Sequence, residues 1–159
     1  MATNAEDAFD ALRAGEGADQ GAGDWFTVDQ ALIDAFAGVT HDHQFIHVDP
    51  EKAARLSPWK TTIAHGFLTL SMLSHLSTSI PAALPPMPGL LMGVNYGFER
   101  VRFVNPVRVG SRIRAASTLR RVELKGPTAV DLTRAMTVEI EGETKPALVA
   151  DWITRLVFA

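Results

Sequence analysis

The sequence predicts an α+β domain in which one long helix is wrapped by a curved antiparallel sheet. Three observations lead there. The stretch "HGFLTLSMLSHLSTSI" (residues 65–80) is apolar or small nearly all round, as in a helix that is covered on every side. "PAALPPMPG" (81–89) follows, with four prolines in nine residues, and no helix continues through it. From Leu90 onward the pattern changes to period two, the signature of strands with one buried face. A helix needing cover and a sheet with one apolar face satisfy each other.

Taken in order, residues 5–13 suit a short helix, and "GEGADQGAG" (15–23) reads as a flexible spacer. "WFTVD" (25–29) is a short strand, and its Asp29 suits the N-cap of "QALIDAFAGVT", where Leu32, Ile33 and Phe36 recur at helical spacing. Asp49–Pro50 starts another brief helix, with Pro at the first helical position and Ala53, Ala54 and Leu56 turned inward. The main helix would be about 20 Å long at ~1.5 Å per residue. Four long strands fall near 90–104, 111–124, 128–141 and 146–158. In "AVDLTRAMTVEIE", Val130, Leu132, Met136, Val138 and Ile140 share a face, with Asp131, Thr133, Thr137 and Glu139 opposite. "ALVADWITRLVF" places Leu148, Trp152, Leu156 and Phe158 together in the same way, and Gly126–Pro127 and Gly142 supply turns.

With 159 residues, 47% hydrophobic and 21% charged, the chain is of ordinary size and polarity for one soluble domain. Its formal charge of −3 gives no reason to expect nucleic acid as a partner. The absence of cysteine excludes disulfides and thiolate metal sites. The acidic start lacks the basic-then-apolar order of a secretory signal, and no run reaches the roughly 18 apolar residues of a membrane helix. A cytoplasmic protein without membrane contact is expected.

"THDHQFIHVDP" (40–50) holds three of the five histidines together with two aspartates. Asp42 and His47 are five apart, about 140° around a helix and on opposite faces of a strand. A joint role therefore needs an irregular segment leaning over a cleft. The segment also admits a metal site from His41, His43 and His47 with Asp42 or Asp49, although no pair at H-E-x-x-H spacing occurs. It equally admits a solvated loop in which His47 caps a helix.

"HDHQFIHVDPEKA", "TIAHGFLTLSML" and "NYGFERVRFVNPVRVGSRIRA" resemble the three blocks of the MaoC-like hydratase family, in family order over residues 24–158. The branch they resemble contains NodN-like proteins and 3-hydroxyacyl-thioester dehydratases. The resemblance implies a single hot-dog domain at 24–159, behind an N-terminal helix and spacer at 1–23. It implies reversible hydration of a trans-2-enoyl-CoA, or of the acyl-carrier-protein thioester, to the (R)-3-hydroxyacyl form, with no metal or other cofactor. Asp42 and His47 are the implied acid–base pair, and Gly66 the implied backbone donor to the thioester oxygen. A homodimer joined sheet edge to sheet edge is implied too. Two departures stand out: His41 where the family has Gly before the aspartate, and Gln44–Phe45 where it has Asn-Pro.

Other residues carry two readings each. Gly66 serves the oxyanion or merely the bend into the helix. Its neighbour His65 is packing or surface before it is catalytic. Ser74, two turns beyond Gly66, lines the acyl tunnel or bonds back to its own helix. Seven arginines between Arg100 and Arg121 meet the phosphates of coenzyme A or form the solvated outer face of the sheet. Asn95–Tyr96–Gly97 is structural or interface-forming. A thioesterase on the same fold and a non-catalytic acyl-binding protein are the rival functions.

Overall fold

The computed structural model describes residues 2–81 and 84–159. Helix α1 (Asn4–Arg13) opens with a capping box: the Glu6 amide donates to Thr3 Oγ1 at 3.2 Å and the Thr3 amide to Glu6 Oε2 at 2.7 Å. The Gly-rich stretch after it is not all spacer, since it contains strand β1 (Asp19–Ala22), followed by β2 (Phe26–Thr27). Asp29 Oδ1 accepts from the Leu32 amide at 2.8 Å and starts α2 (Gln30–Thr40). A single helical turn, α3 (Phe45–Val48), precedes α4 (Pro50–Leu56), capped by Asp49. In α4 only Ala53 of the three expected residues turns inward, because it forms the buried stripe with Ser57; Ala54 and Leu56 fall either side of that stripe and are exposed.

The expected main helix runs as α5 (Gly66–Ser71), α6 (Leu73–Leu76) and a 3₁₀ turn at Ser77–Ser79. Hydroxyls account for the segmentation. Ser71 Oγ donates to the Phe67 carbonyl at 2.7 Å and Thr78 Oγ1 to the His75 carbonyl at 2.7 Å, back-bonds that draw carbonyls out of the ladder and bend or tighten a helix. The stretch is also not covered all round. Leu68, Leu73 and Leu76 are buried, whereas Phe67 is 67% exposed and Ser71, Ser74 and His75 share its open side.

Four long strands complete the fold: β3 (Leu90–Phe103), β4 (Arg112–Leu124), β5 (Ala129–Ile140) and β6 (Leu148–Phe158). All pairings are antiparallel in the order β1-β4-β5-β6-β3, with β2 also on β4. On the inner face, Met136, Val138, Leu148 and Trp152 pack with Ile33, Leu68, Leu73 and Leu76. Farther along the same face, Val130, Leu132, Leu156 and Phe158 pack under Ala5, Ala8 and Leu12 of α1. Burying each large apolar side chain contributes roughly 1.5–3 kcal/mol.

The outer face differs from a simple solvated surface. Asp131, Thr133 and Asp151 are buried there. Arg155 makes a two-pronged pair with Asp131 at 2.7 and 2.8 Å and lies over the Tyr96 ring, while Arg100 pairs with Asp151 at 2.7 Å. Long arginine stems thus cover the carboxylates they neutralise. At the sheet edge, β3 has β6 as its one strand neighbour among the described residues and leaves Leu91, Met92 and Tyr96 more than half exposed. No helix among the described residues is long and apolar enough to cross a membrane.

Helix α2 carries the site's loop at its C-terminal end, so its cap has a measurable weight. Asp29→Ala is expected to lower stability by about 1 kcal/mol. In urea titration the midpoint should fall at unchanged slope; an unmoved midpoint would show that the cap contributes nothing.

Candidate active site

The last turn of α2 delivers His41 in the left-handed conformation, at φ 60° and ψ 21°. That is the backbone angle for which glycine is the usual residue; a histidine there carries strain of roughly 1 kcal/mol. The turn is nonetheless made, and it ends α2 so that Asp42 lies on an irregular stretch before α3. His47, on that single helical turn, is buried, and its Nδ1 donates to the Ile63 carbonyl at 2.7 Å. A carbonyl only accepts, so Nδ1 holds the proton and the lone pair sits on Nε2. Gln30 secures this turn from α2, donating to the His47 carbonyl at 2.7 Å and accepting from the Thr62 hydroxyl. The Ile63 amide donates to the Ile46 carbonyl at 2.9 Å, closing the frame.

Asp42 and His47 therefore converge, and His65 joins them: one side-chain ligand atom from each of the three lies within 4.8 Å of the others. Asp42 is exposed; both histidines are buried. His41 and His43 face solvent and Asp49 accepts from the Lys52 amide at 2.9 Å, so of the expected metal group Asp42 and His47 come together among the described residues, with His65 in the place expected for His41 or His43. The imidazoles of His47 and His65 stack with centroids 3.8 Å apart and planes at 23°.

A cavity of about 260 Å³ opens beside His47, walled by Ile63, Gly66, Thr69, Phe103, Pro106 and Val107 among others. Gly66 is the first residue of α5, where backbone N–H groups have no intrahelical acceptor. A Cβ at this position would lie 3.0 Å from the Phe103 ring, so any larger residue would have to push that ring back by a few tenths of an ångström. Ser74 lies apart, in a second cavity of about 280 Å³ with Leu70, Asn95, Phe98 and Trp152, where Asn95 Nδ2 donates to its hydroxyl at 3.5 Å. Five of the seven arginines of the 100–121 run pair with carboxylates: Arg100 and Arg120 with Asp151, Arg112 with Glu141, Arg114 with Glu139, and Arg121 with Glu99 and Glu123; Arg102 donates to the Val101 carbonyl instead. Ile63, Gln30 and Phe103 had no sequence signal of their own, because they act through a carbonyl, an amide and a ring edge that belong to the tertiary fold.

Burial pushes the His47 imidazole below the ordinary histidine range, and His65 adds to the effect; the Ile63 carbonyl and the Asp42 carboxylate oppose it without prevailing. At neutral pH the ring is thus an uncharged base with its lone pair beside a carboxylate.

Fold and site together define a hot-dog domain in which His47, close to Asp42, lines a cavity whose wall includes a helix start. The MaoC-like domain model matches residues 13–141, and the chain belongs to that family. It is 51% identical to Nodulation protein N of Rhizobium leguminosarum bv. viciae over 142 residues, covering 89% of this chain and 86% of the relative. It is 47% identical to 3-hydroxyacyl-thioester dehydratase Z of Mycobacterium tuberculosis over 146 residues, 92% of this chain and 93% of the relative. An R-hydratase from Pseudomonas aeruginosa has the same fold, with a TM-score of 0.69 at 21% identity over 91% of this chain and 83% of that one.

Two outcomes follow from this geometry. His41→Gly should raise stability by up to about 1 kcal/mol by relieving the left-handed strain; a lower urea midpoint would show that the His41 side chain holds the turn. Because folding lowers the His47 pKa, the unfolded chain binds that proton more readily. The stability His47 contributes is complete above the unfolded histidine value of 6.5 and is lost as pH falls through it toward the folded value. Urea midpoints taken from about pH 7.5 down to 5 should decline, and His47→Gln should flatten the decline. Identical slopes in the two proteins would contradict the assignment.

Proposed function

We propose that this chain catalyses the reversible hydration of a trans-2-enoyl thioester of coenzyme A or acyl carrier protein to the (R)-3-hydroxyacyl thioester. The observation that carries the reading is the buried His47, with its lone pair free on Nε2, beside the Asp42 carboxylate at a cavity bordered by Gly66. Hydration needs a group to take a proton from water, a group to deliver one to the α-carbon, and stabilisation of the enolate-like oxygen between those events. Asp42 and His47 both offer acceptors to one water. As the water oxygen bonds the β-carbon, its proton passes to this pair, and a proton from the pair completes the α-carbon. Dehydration runs the same steps backward. The Gly66 amide, at the positive end of α5, is directed to the thioester oxygen as it gains charge.

Ser74 is assigned to substrate contact away from the chemistry, since its cavity is separate from that of His47. A second copy of the chain is assigned to the β3 edge, where Leu91, Met92, Tyr96, Phe67 and Phe103 are exposed. An open edge strand with apolar side chains favours pairing. The level of identity to the dehydratase relative, across nearly all of both chains, supports the reaction class.

Crotonyl-CoA tests the reading by the loss of its enone absorbance in water. Asp42→Asn and His47→Gln are each expected to lower kcat by about 10²–10⁴-fold with folding intact. Release of free thiol from the substrate would replace the hydratase with a thioesterase, and variants as fast as the wild type would remove the pair from the chemistry.

A further inference from the structure

His65 has no part in the reaction as described, yet it is one of the most constrained side chains at the site. Its residue exposure is 3%. Its Nε2 donates to the Asp42 backbone carbonyl at 2.9 Å, across 23 residues of sequence. Its ring stacks on His47 at 3.8 Å and meets Phe36 of α2 at 5.1 Å with the planes tilted by 54°. Its other nitrogen, Nδ1, is buried without a hydrogen-bond partner. The Asp42 contact therefore selects the Nε2–H tautomer, because a carbonyl cannot donate and Nδ1 has nothing to donate to. One residue thus joins three parts of the site: its ring contacts the backbone of Asp42 and the imidazole of His47, and as the N-cap residue of α5 it directly precedes Gly66.

Resting on the assignment of Asp42 and His47 above, we infer that His65 is a positioning residue that clamps the Asp42 loop and the His47 ring into register with the start of α5. The loop needs such a clamp. Asp42 is exposed, it follows a residue in a strained conformation, and among the described residues its carboxylate makes one long contact, accepting from the Gln44 amide at 3.4 Å. Without the donor from His65, the irregular stretch 42–44 has little to fix where the carboxylate lies. The stack does the corresponding work for His47. It holds the plane of the ring, while the bond to the Ile63 carbonyl holds Nδ1. The titratable groups facing His47 are His65 and Asp42; Gln30 and Ile63 present uncharged polar atoms.

Two substitutions separate the two contacts. His65→Phe keeps a flat ring for the stack and removes the donor. His65→Gln keeps an N–H near the Nε2 position and removes the ring. Each is compared with the wild type by imidazole ¹⁵N–¹H NMR titration of His47 and by hydration of crotonyl-CoA. The clamp predicts that His47 titrates at higher pH in the Gln variant, with the stacked imidazole that opposes its protonation gone. It predicts that kcat of the Phe variant falls about 10- to 100-fold at nearly constant KM, as for a misplaced catalytic group. The Gln variant should recover a large part of that loss. Wild-type kcat in the Phe variant, or a His47 titration unmoved in the Gln variant, would overturn the proposal. A wild-type protein that does not hydrate crotonyl-CoA would remove the hydratase reading instead, and the His47 titration would then decide the clamp alone.

Discussion

The hydrogen bond from His47 Nδ1 to the Ile63 carbonyl is the constraint on which the site depends. It fixes which nitrogen carries the proton, which way the ring faces, and hence which nitrogen is left as a base. That bond exists only because two distant stretches meet. The turn carrying His47 is tied back to α2 through Gln30, and the Ile63 strand-like segment is tied to β4's approach through the Ala64 amide on the Val107 carbonyl at 2.8 Å and the Val109 amide on Thr62 at 3.0 Å. A histidine buried without this frame would be desolvated with no defined tautomer. With it, burial becomes useful, since it keeps the ring uncharged where an acceptor is wanted.

The rest of the fold supplies rigidity on one side and openness on the other. Trp152, Met136 and Leu148 hold the sheet's inner face against Leu68, Leu73 and Leu76, so the helix start that presents Gly66 is anchored by packing two turns further along. Buried Asp131 and Asp151 on the outer face are neutralised by arginines whose removal would strand a desolvated charge. The side of α5 that carries Phe67 and the edge strand β3 remain open.

Much of this was legible in the residues. The four long strands lie within two residues of the period-two stretches, and Asp29 and Asp49 cap the helices that their positions suggested. The pairing of Asp42 with His47 was visible only as a demand for an irregular segment, and the left-handed turn at His41 is how the chain meets it. What stayed hidden was tertiary. Strand β1 lies in a Gly-rich stretch that has no alternation to read, and it pairs through backbone atoms with β4. The single turn α3 is too short for a periodic signal. His65 looked like packing because nothing in a linear sequence shows that its Nε2 reaches the Asp42 carbonyl. The segmentation of the main helix was hidden for a related reason: serine and threonine read as small, helix-tolerant residues until their hydroxyls are seen to capture carbonyls.

The most direct measurement is a crystal structure of the protein with a 3-hydroxyacyl-CoA bound. The thioester oxygen is expected within hydrogen-bond distance of the Gly66 amide, with the 3-hydroxyl between Asp42 and His47 Nε2. A thioester bound in order elsewhere, with its hydroxyl out of reach of both side chains, would contradict the account.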